Sequence, residues 1–299
     1  MWLYLGIFSA VFLGLYDITR KHALQNNAVL PVLFFAVLAE AVLLLPVAVI
    51  SPYAPDFMNR LGLFIPQFGL TAHLLFFLKA VIVAVLWILA YFSIKHLPIS
   101  IYSPIGASAP AWTLIGAILI FGERLTTLQW VAFGILFVSY YVFSLVGSRE
   151  GIVFHTNKWV IFLFLAVLIG AASALMDKYL IQRLRFSAVG VQVWFILYMV
   201  PVLGFTLLLF WWPNRAKYTP FEWRWLIPLI GLLLAFADLA YFKAIACSGT
   251  LISLLTAVRS GSAVVSFLAG AVLFSEVRIM QKSFALAGVL AGVFLLFLS

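Results

Sequence analysis

"GSREGIVFHTNK" (Gly147–Lys158) is a hydrophilic stretch near the midpoint of a 299-residue chain. On both sides of it the sequence is overwhelmingly apolar. Hydrophobic residues make up 66% of the chain and charged residues 9%, with a mean hydropathy of +1.19. A soluble globule has about a quarter of its residues charged. So few polar groups cannot cover a water-facing surface, and the chain must be solvated by lipid.

Working outward from that stretch, ten apolar segments are found, five before it and five after. They fall near 2–22, 30–50, 70–94, 99–121, 127–147, 158–182, 188–212, 222–246, 250–274 and 282–298. Roughly twenty residues at 1.5 Å each span a ~30 Å hydrocarbon layer. The runs lack the period-two alternation of a membrane barrel, so the expected fold is an all-α polytopic membrane protein with ten transmembrane helices. Short loops leave no room for an extramembrane domain. The first segment follows Met1 with no basic region and no cleavage site, and reads as a retained helix.

The midpoint position prompts a test for internal repetition. "LYDITRK" (Leu15–Lys21) near the end of the first segment matches "LMDKYLI" (Leu175–Ile181) near the end of the sixth, aligning Asp17 with Asp177. "AYFSIKHLPIS" (Ala90–Ser100) matches "AYFKAIACSGT" (Ala240–Thr250), and "ILIFGERLT" (Ile118–Thr126) matches "AVLFSEVRI" (Ala271–Ile279), so Glu123 pairs with Glu276. The expected division is residues 1–147, a connecting loop 148–157, and residues 158–299. Each half has an odd number of spans, so the second lies inverted relative to the first. Inverted repeats are a common architecture of secondary transporters, because two oppositely packed halves can open a central site to each face in turn.

The matched segments, together with Pro110 and the Phe121-Gly122-Glu123 ending, resemble the EamA-type members of the drug/metabolite transporter superfamily. The resemblance covers nearly the whole chain. It departs at Val264 and Ser275, where a proline and a glycine are usual, and at Glu40, where members often carry an arginine. It implies a ten-helix carrier of small metabolites, often an exporter, with both termini in the cytoplasm. The Lys and Arg distribution alone implies the opposite orientation, since the side away from the N-terminus carries the excess. The net charge of +9 otherwise sits at segment ends, as headgroup contact requires, and does not point to nucleic acid.

Candidate site residues come from charges at depth. Arg259 lies within about 5 Å of the centre of the ninth segment, where a charge costs on the order of 2.5–3.5 kcal/mol and faces a cavity or a partner. Thr256, Ser262 and Ser266 share its helical face, within about 60° at 100° per residue. Asp238 lies near the centre of the eighth segment and can meet Arg259 across a tight antiparallel connection, either fixing packing or lining a substrate cavity. Glu40, at the centre of the second, is left without a cation. An unpaired carboxylate in low dielectric keeps its proton to higher pH. Glu40 is therefore expected to take up a proton, to meet a cationic substrate group, or to bond a neighbouring helix in protonated form.

Trp87, Tyr91 and Tyr241 lie beside the repeat-related segments, and an aromatic wall with a carboxylate suits an amine while Arg259 suits a carboxylate. Asp17 has Arg20 and Lys21 nearby, the latter at i,i+4 spacing, and Asp177 has Lys178; these read as interfacial ion pairs or as a symmetric pair of gates. "GVLAG" (Gly288–Gly292) permits close packing, within the bundle or between protomers.

Several classes are disfavoured. Cys247 is the lone cysteine, and His22, His73, His96 and His155 are scattered without ligand spacing, so no metal or other cofactor is expected. No phosphate-binding loop motif is present. Clustered catalytic groups are lacking, so the chain is not expected to be an enzyme. The expected function is secondary transport of a small polar or zwitterionic metabolite, amino acid- or amine-like, with proton coupling open. A flippase for a lipid or lipid-linked sugar is the alternative. The expected setting is a bacterial inner membrane, with a small-molecule substrate, protons and lipid as partners and the oligomeric state open.

Overall fold

A computed structural model of the chain describes residues 1–97, 102, 105–106, 108–147, 157–217, 219–266 and 279–298. The connecting loop at 148–156, Ser275, Glu276 and the ninth segment beyond residue 266 lie outside the described residues. All regular structure among the described residues is helical. In chain order the helices are α1 (Trp2–Ala23), α2 (Val29–Ile50), α3 (Pro55–Arg60), α4 (Leu70–His96), α5 (Ala109–Phe121) and α6 (Thr127–Gly147). They continue as α7 (Lys158–Lys178), α8 (Ala188–Thr206), α9 (Leu226–Ala246), α10 (Ile252–Arg259) and α11 (Ile279–Leu298). In lipid every backbone N–H and C=O must bond within the chain, and helices achieve this locally. Pro46 and Pro201 are accommodated inside α2 and α8.

Among the described residues six helices, α1, α2, α4, α7, α8 and α9, are long and apolar enough to cross a membrane. Shorter apolar helices stand at Ala109–Phe121, Thr127–Ser139, Ile252–Ser266 and Ala287–Leu296, the places of the other four segments. The chain is thus an integral, multi-pass α-helical membrane protein.

The ninth segment is not one continuous rod. The regular ladder of α10 ends at Arg259, where Gly261 N donates to Val258 O at 3.0 Å and Val264 N to Gly261 O at 3.0 Å. The Ser260 hydroxyl turns back to the Thr256 carbonyl at 3.0 Å. Serine competes for backbone groups and glycine gains least from helix, so the pair is a natural interruption. The fourth segment is interrupted alike: Ser108 N donates to Ile105 O at 3.1 Å and Ala111 N to Ser108 O at 3.0 Å, and the Ser108 hydroxyl again turns back, to Ile105 O.

The most extensive packing joins α1 to α9, α4 to α7, α6 to α11, α2 to both α8 and α9, and α4 to α8. Further contacts join α5 to α7 and α10, and α1 to α10. Small residues set the closest approaches. A β-carbon at Gly231 in α9 would lie 2.8 Å from the Glu40 nitrogen and closer still to the Ala36 carbonyl, both on α2. Gly231→Ala is therefore expected to force the two backbones apart and cost about 1–3 kcal/mol, read as a lower apparent Tm of purified protein. Gly288 and Gly292 close against Ser139 and Leu136 of α6, so the small-residue pair packs within the bundle.

Several helix ends are finished by side chains from elsewhere. Lys21 Nζ donates to the Ile94 and Leu97 carbonyls at 2.7 and 2.8 Å, completing the C-terminal turn of α4.

Candidate functional site

A cavity of about 330 Å³ opens between α1, α4, α7, α9 and α10, with Gly106 and the start of α5 on its wall. This is the lower range of small-ligand sites. Among the described residues six charged side chains line it: Asp17, Arg20, Lys79, Asp177, Asp238 and Arg259. They form three ion pairs, so the ring carries no net charge.

The first pair lies within α1. Arg20 Nη2 donates to Asp17 Oδ1 at 2.7 Å and to the Tyr102 hydroxyl at 2.9 Å. Its guanidinium carbon stands 4.8 Å from the Tyr16 ring centroid, 5.0 Å from that of Tyr91 and 5.6 Å from that of Tyr102. Tyr16 in turn donates its hydroxyl to that of Tyr91 at 3.3 Å. A desolvated cation among aromatic faces is held by their quadrupoles as well as by its counter-ion.

The second pair joins α4 to α7. Lys79 Nζ lies 2.5 Å from Asp177 Oδ1, with side chains only 2% and 5% exposed, and donates to the Ser173 hydroxyl at 3.2 Å. Phe195 of α8 and Phe242 of α9 close over the ammonium at 4.7 and 5.5 Å. The Tyr241 hydroxyl donates to the other carboxylate oxygen of Asp177 at 3.4 Å.

Arg259 and Asp238 make the third pair, a short contact between Nη2 and Oδ1 that joins α10 to α9. The guanidinium lies 4.2 Å above the Tyr241 ring. It stands at the C-terminal end of α10, where a cation is favoured by the helix dipole. Tyr241 links this pair to the second, lying under the Arg259 guanidinium while its hydroxyl donates to Asp177. Arg259 and Asp17 are the most open of the six, with side chains 21% and 22% exposed.

Of the residues singled out in the sequence, Arg259, Asp238, Tyr241, Trp87, Thr256, Ser262, Asp17 and Asp177 line the cavity. Tyr91 stands behind the wall through its bond to Tyr16. Glu40 is fully buried and is absent from the described lining. The expected i,i+4 partnership of Asp17 with Lys21 is replaced by an i,i+3 pair with Arg20, because Lys21 is spent on the carbonyls of α4. Nor is this an interfacial snorkelled pair, since Arg20 is 3% exposed.

Lys178 does not pair with Asp177. Its ammonium bonds Glu123 Oε1 at 2.6 Å. The same carboxylate accepts from Ile252 N at 2.8 Å, Ser253 N at 3.4 Å and Ser253 Oγ at 2.5 Å. Glu123, just beyond α5, therefore caps the N-terminus of α10 and ties it to the end of α7. Glu123→Gln keeps an acceptor for the helix start but strips the counter-charge from Lys178. We expect a loss of about 1.5–3 kcal/mol in thermal unfolding.

Lys79 was legible but overlooked: it lies within about 5 Å of the middle of the third segment, the same criterion that selected Arg259. Arg20, near a segment end, was legible only as one of two cations beside Asp17. Among the described residues no cluster of His, Cys, Asp and Glu is suited to a metal ion.

The model of the EamA-like transporter family matches residues 1–145. No curated protein matches the chain. A protein of solved crystal structure superposes with a TM-score of 0.69 at 16% identity, covering 99% of this chain and 95% of its own, which shows a shared fold. The matched family consists of transporters of the drug/metabolite transporter superfamily, and residues 1–145 of this chain are similar to them.

Proposed function

We propose that the protein is a secondary transporter that moves a small zwitterionic or polar metabolite, amino acid- or amine-like, by alternating access. The observation that carries the reading is the electroneutral ring of three carboxylates and three cations around one cavity. A ligand with one charge of each sign can exchange partners with such a ring without leaving a net charge in low dielectric. Arg259 offers a fork for a carboxylate, and Asp17 an acceptor for an ammonium group, with Trp87 and Tyr241 as apolar walls.

Alternating access draws support from the packing. If residues 1–147 and 158–299 are exchanged as repeats, the contact of α1 with α9 becomes that of α7 with α4. Likewise α2 with α9 becomes α8 with α4, and α1 with α10 becomes α7 with α5, all of them observed contacts. The interruptions at Ser108 and Gly261 coincide under a shift of 153 residues, bond for bond. With five segments per half this reads as an inverted repeat, and broken helices beside a central site are its usual companions.

A thermal-shift screen of purified protein against amino acids, amines, nucleobases and sugars tests the substrate class, followed by liposome flux of the hits. Zwitterions are expected to stabilise the wild type and to lose that effect in Arg259→Ala. Stabilisation by sugars or nucleobases alone, undiminished in that variant, would show the reading wrong.

A further inference from the structure

Glu40 is a charged residue that the cavity does not use. α2 brings it to where α8 and α9 both pack against that helix, and Gly231 allows the close approach. The side chain is fully buried, and neither carboxyl oxygen receives a hydrogen bond from any described residue. Gln192 of α8, also fully buried, is the polar side chain beside it. Its Nε2 donates to the Ala235 carbonyl at 3.0 Å, and its Oε1 has no donor. These three buried acceptor oxygens have no hydrogen-bond partner among the described residues.

The surrounding charges offer no relief. From α9 comes Asp238, a second acid. From α4 comes Tyr91, whose hydroxyl is engaged with Tyr16. From α8 there is only the Gln192 amide. The nearby cations are committed, Lys79 to Asp177 and Arg259 to Asp238. Asp56 and Arg60 of α3 are exposed at its far end. An ionised, unpaired carboxylate at this depth costs several kcal/mol, and a like charge adds to it. One proton removes the charge and converts an acceptor into a donor.

We infer that Glu40 is a buried proton site behind the cavity wall, carrying its proton while Arg259 holds Asp238 ionised in the cavity. Asp238 lines the cavity from α9, the helix that packs on α2 beside Glu40, and so links the buried proton to events in the cavity. When a substrate carboxylate takes Arg259, Asp238 loses its ion-pair partner and accepts a proton from the cavity. That step rests on the transport reading; the proton on Glu40 does not.

Infrared spectroscopy of the purified protein tests the site without any substrate. At neutral pH a carboxylic-acid C=O band is expected that shifts in D2O and on ¹³C labelling of the glutamates. Glu40→Gln, close in shape to a protonated glutamate, should abolish it, and Asp238→Asn should retain it. Gln192→Leu, which deletes an acceptor, should move the band to higher frequency and provides a second reading if Glu40→Gln fails to fold. A labelled wild-type spectrum without the band, or a band unchanged by Glu40→Gln, overturns the assignment. Because no flux is measured, the band can persist even if transport of zwitterions is disproved.

Discussion

Lys79→Met is expected to be the most damaging single change to stability. The ammonium neutralises Asp177 at 2.5 Å inside a wall of Phe195 and Phe242. Removing one member of a buried pair leaves the other charge uncompensated, which costs about 3–5 kcal/mol. Met fills a similar volume, so the loss is electrostatic rather than steric. The double variant Lys79→Met with Asp177→Asn should recover most of it. The check is a double-mutant cycle of unfolding midpoints in detergent, and a double variant as unstable as Lys79→Met alone would refute the argument.

Arg259→Ala should have the largest effect on function. Truncating one side of a desolvated charge pair costs 2–5 kcal/mol, so substrate affinity is expected to fall by roughly 30-fold or more. Part of the change will be structural, because Asp238 loses its partner. Pairing Arg259→Ala with Asp238→Asn separates the two effects: thermal stability should return while flux stays at background. Arg259→Lys should recover little, since an ammonium cannot reproduce the fork or the stacking over Tyr241. Flux restored by the double variant would remove Arg259 from substrate contact.

Helical character and membrane residence were legible because lipid imposes them on any chain this apolar. The proximity of Arg259 and Asp238 was legible in the short connection between α9 and α10. Partner choice was not. Sequence spacing favoured Lys21 for Asp17 and Lys178 for Asp177, but both lysines have better uses at helix ends, on the carbonyls of α4 and on Glu123. Lys79 reaches Asp177 only through the packing of α4 on α7, a contact between halves that local pattern does not encode. The interruption at Ser260–Gly261 was visible as residue types, yet the strong apolar run around it favoured an unbroken rod.

The pairing of α1 with α9 and of α4 with α7 bears on how the protein is made. Translation delivers the first five segments before any of their main packing neighbours exist. Lys79 then enters the bilayer with its counter-ion still unsynthesised, and the nascent intermediate must shelter it by snorkelling or by a translocation partner. Assembly is consequently a late event, and the two halves, expressed as separate chains, should each be degraded when alone and rescued when made together.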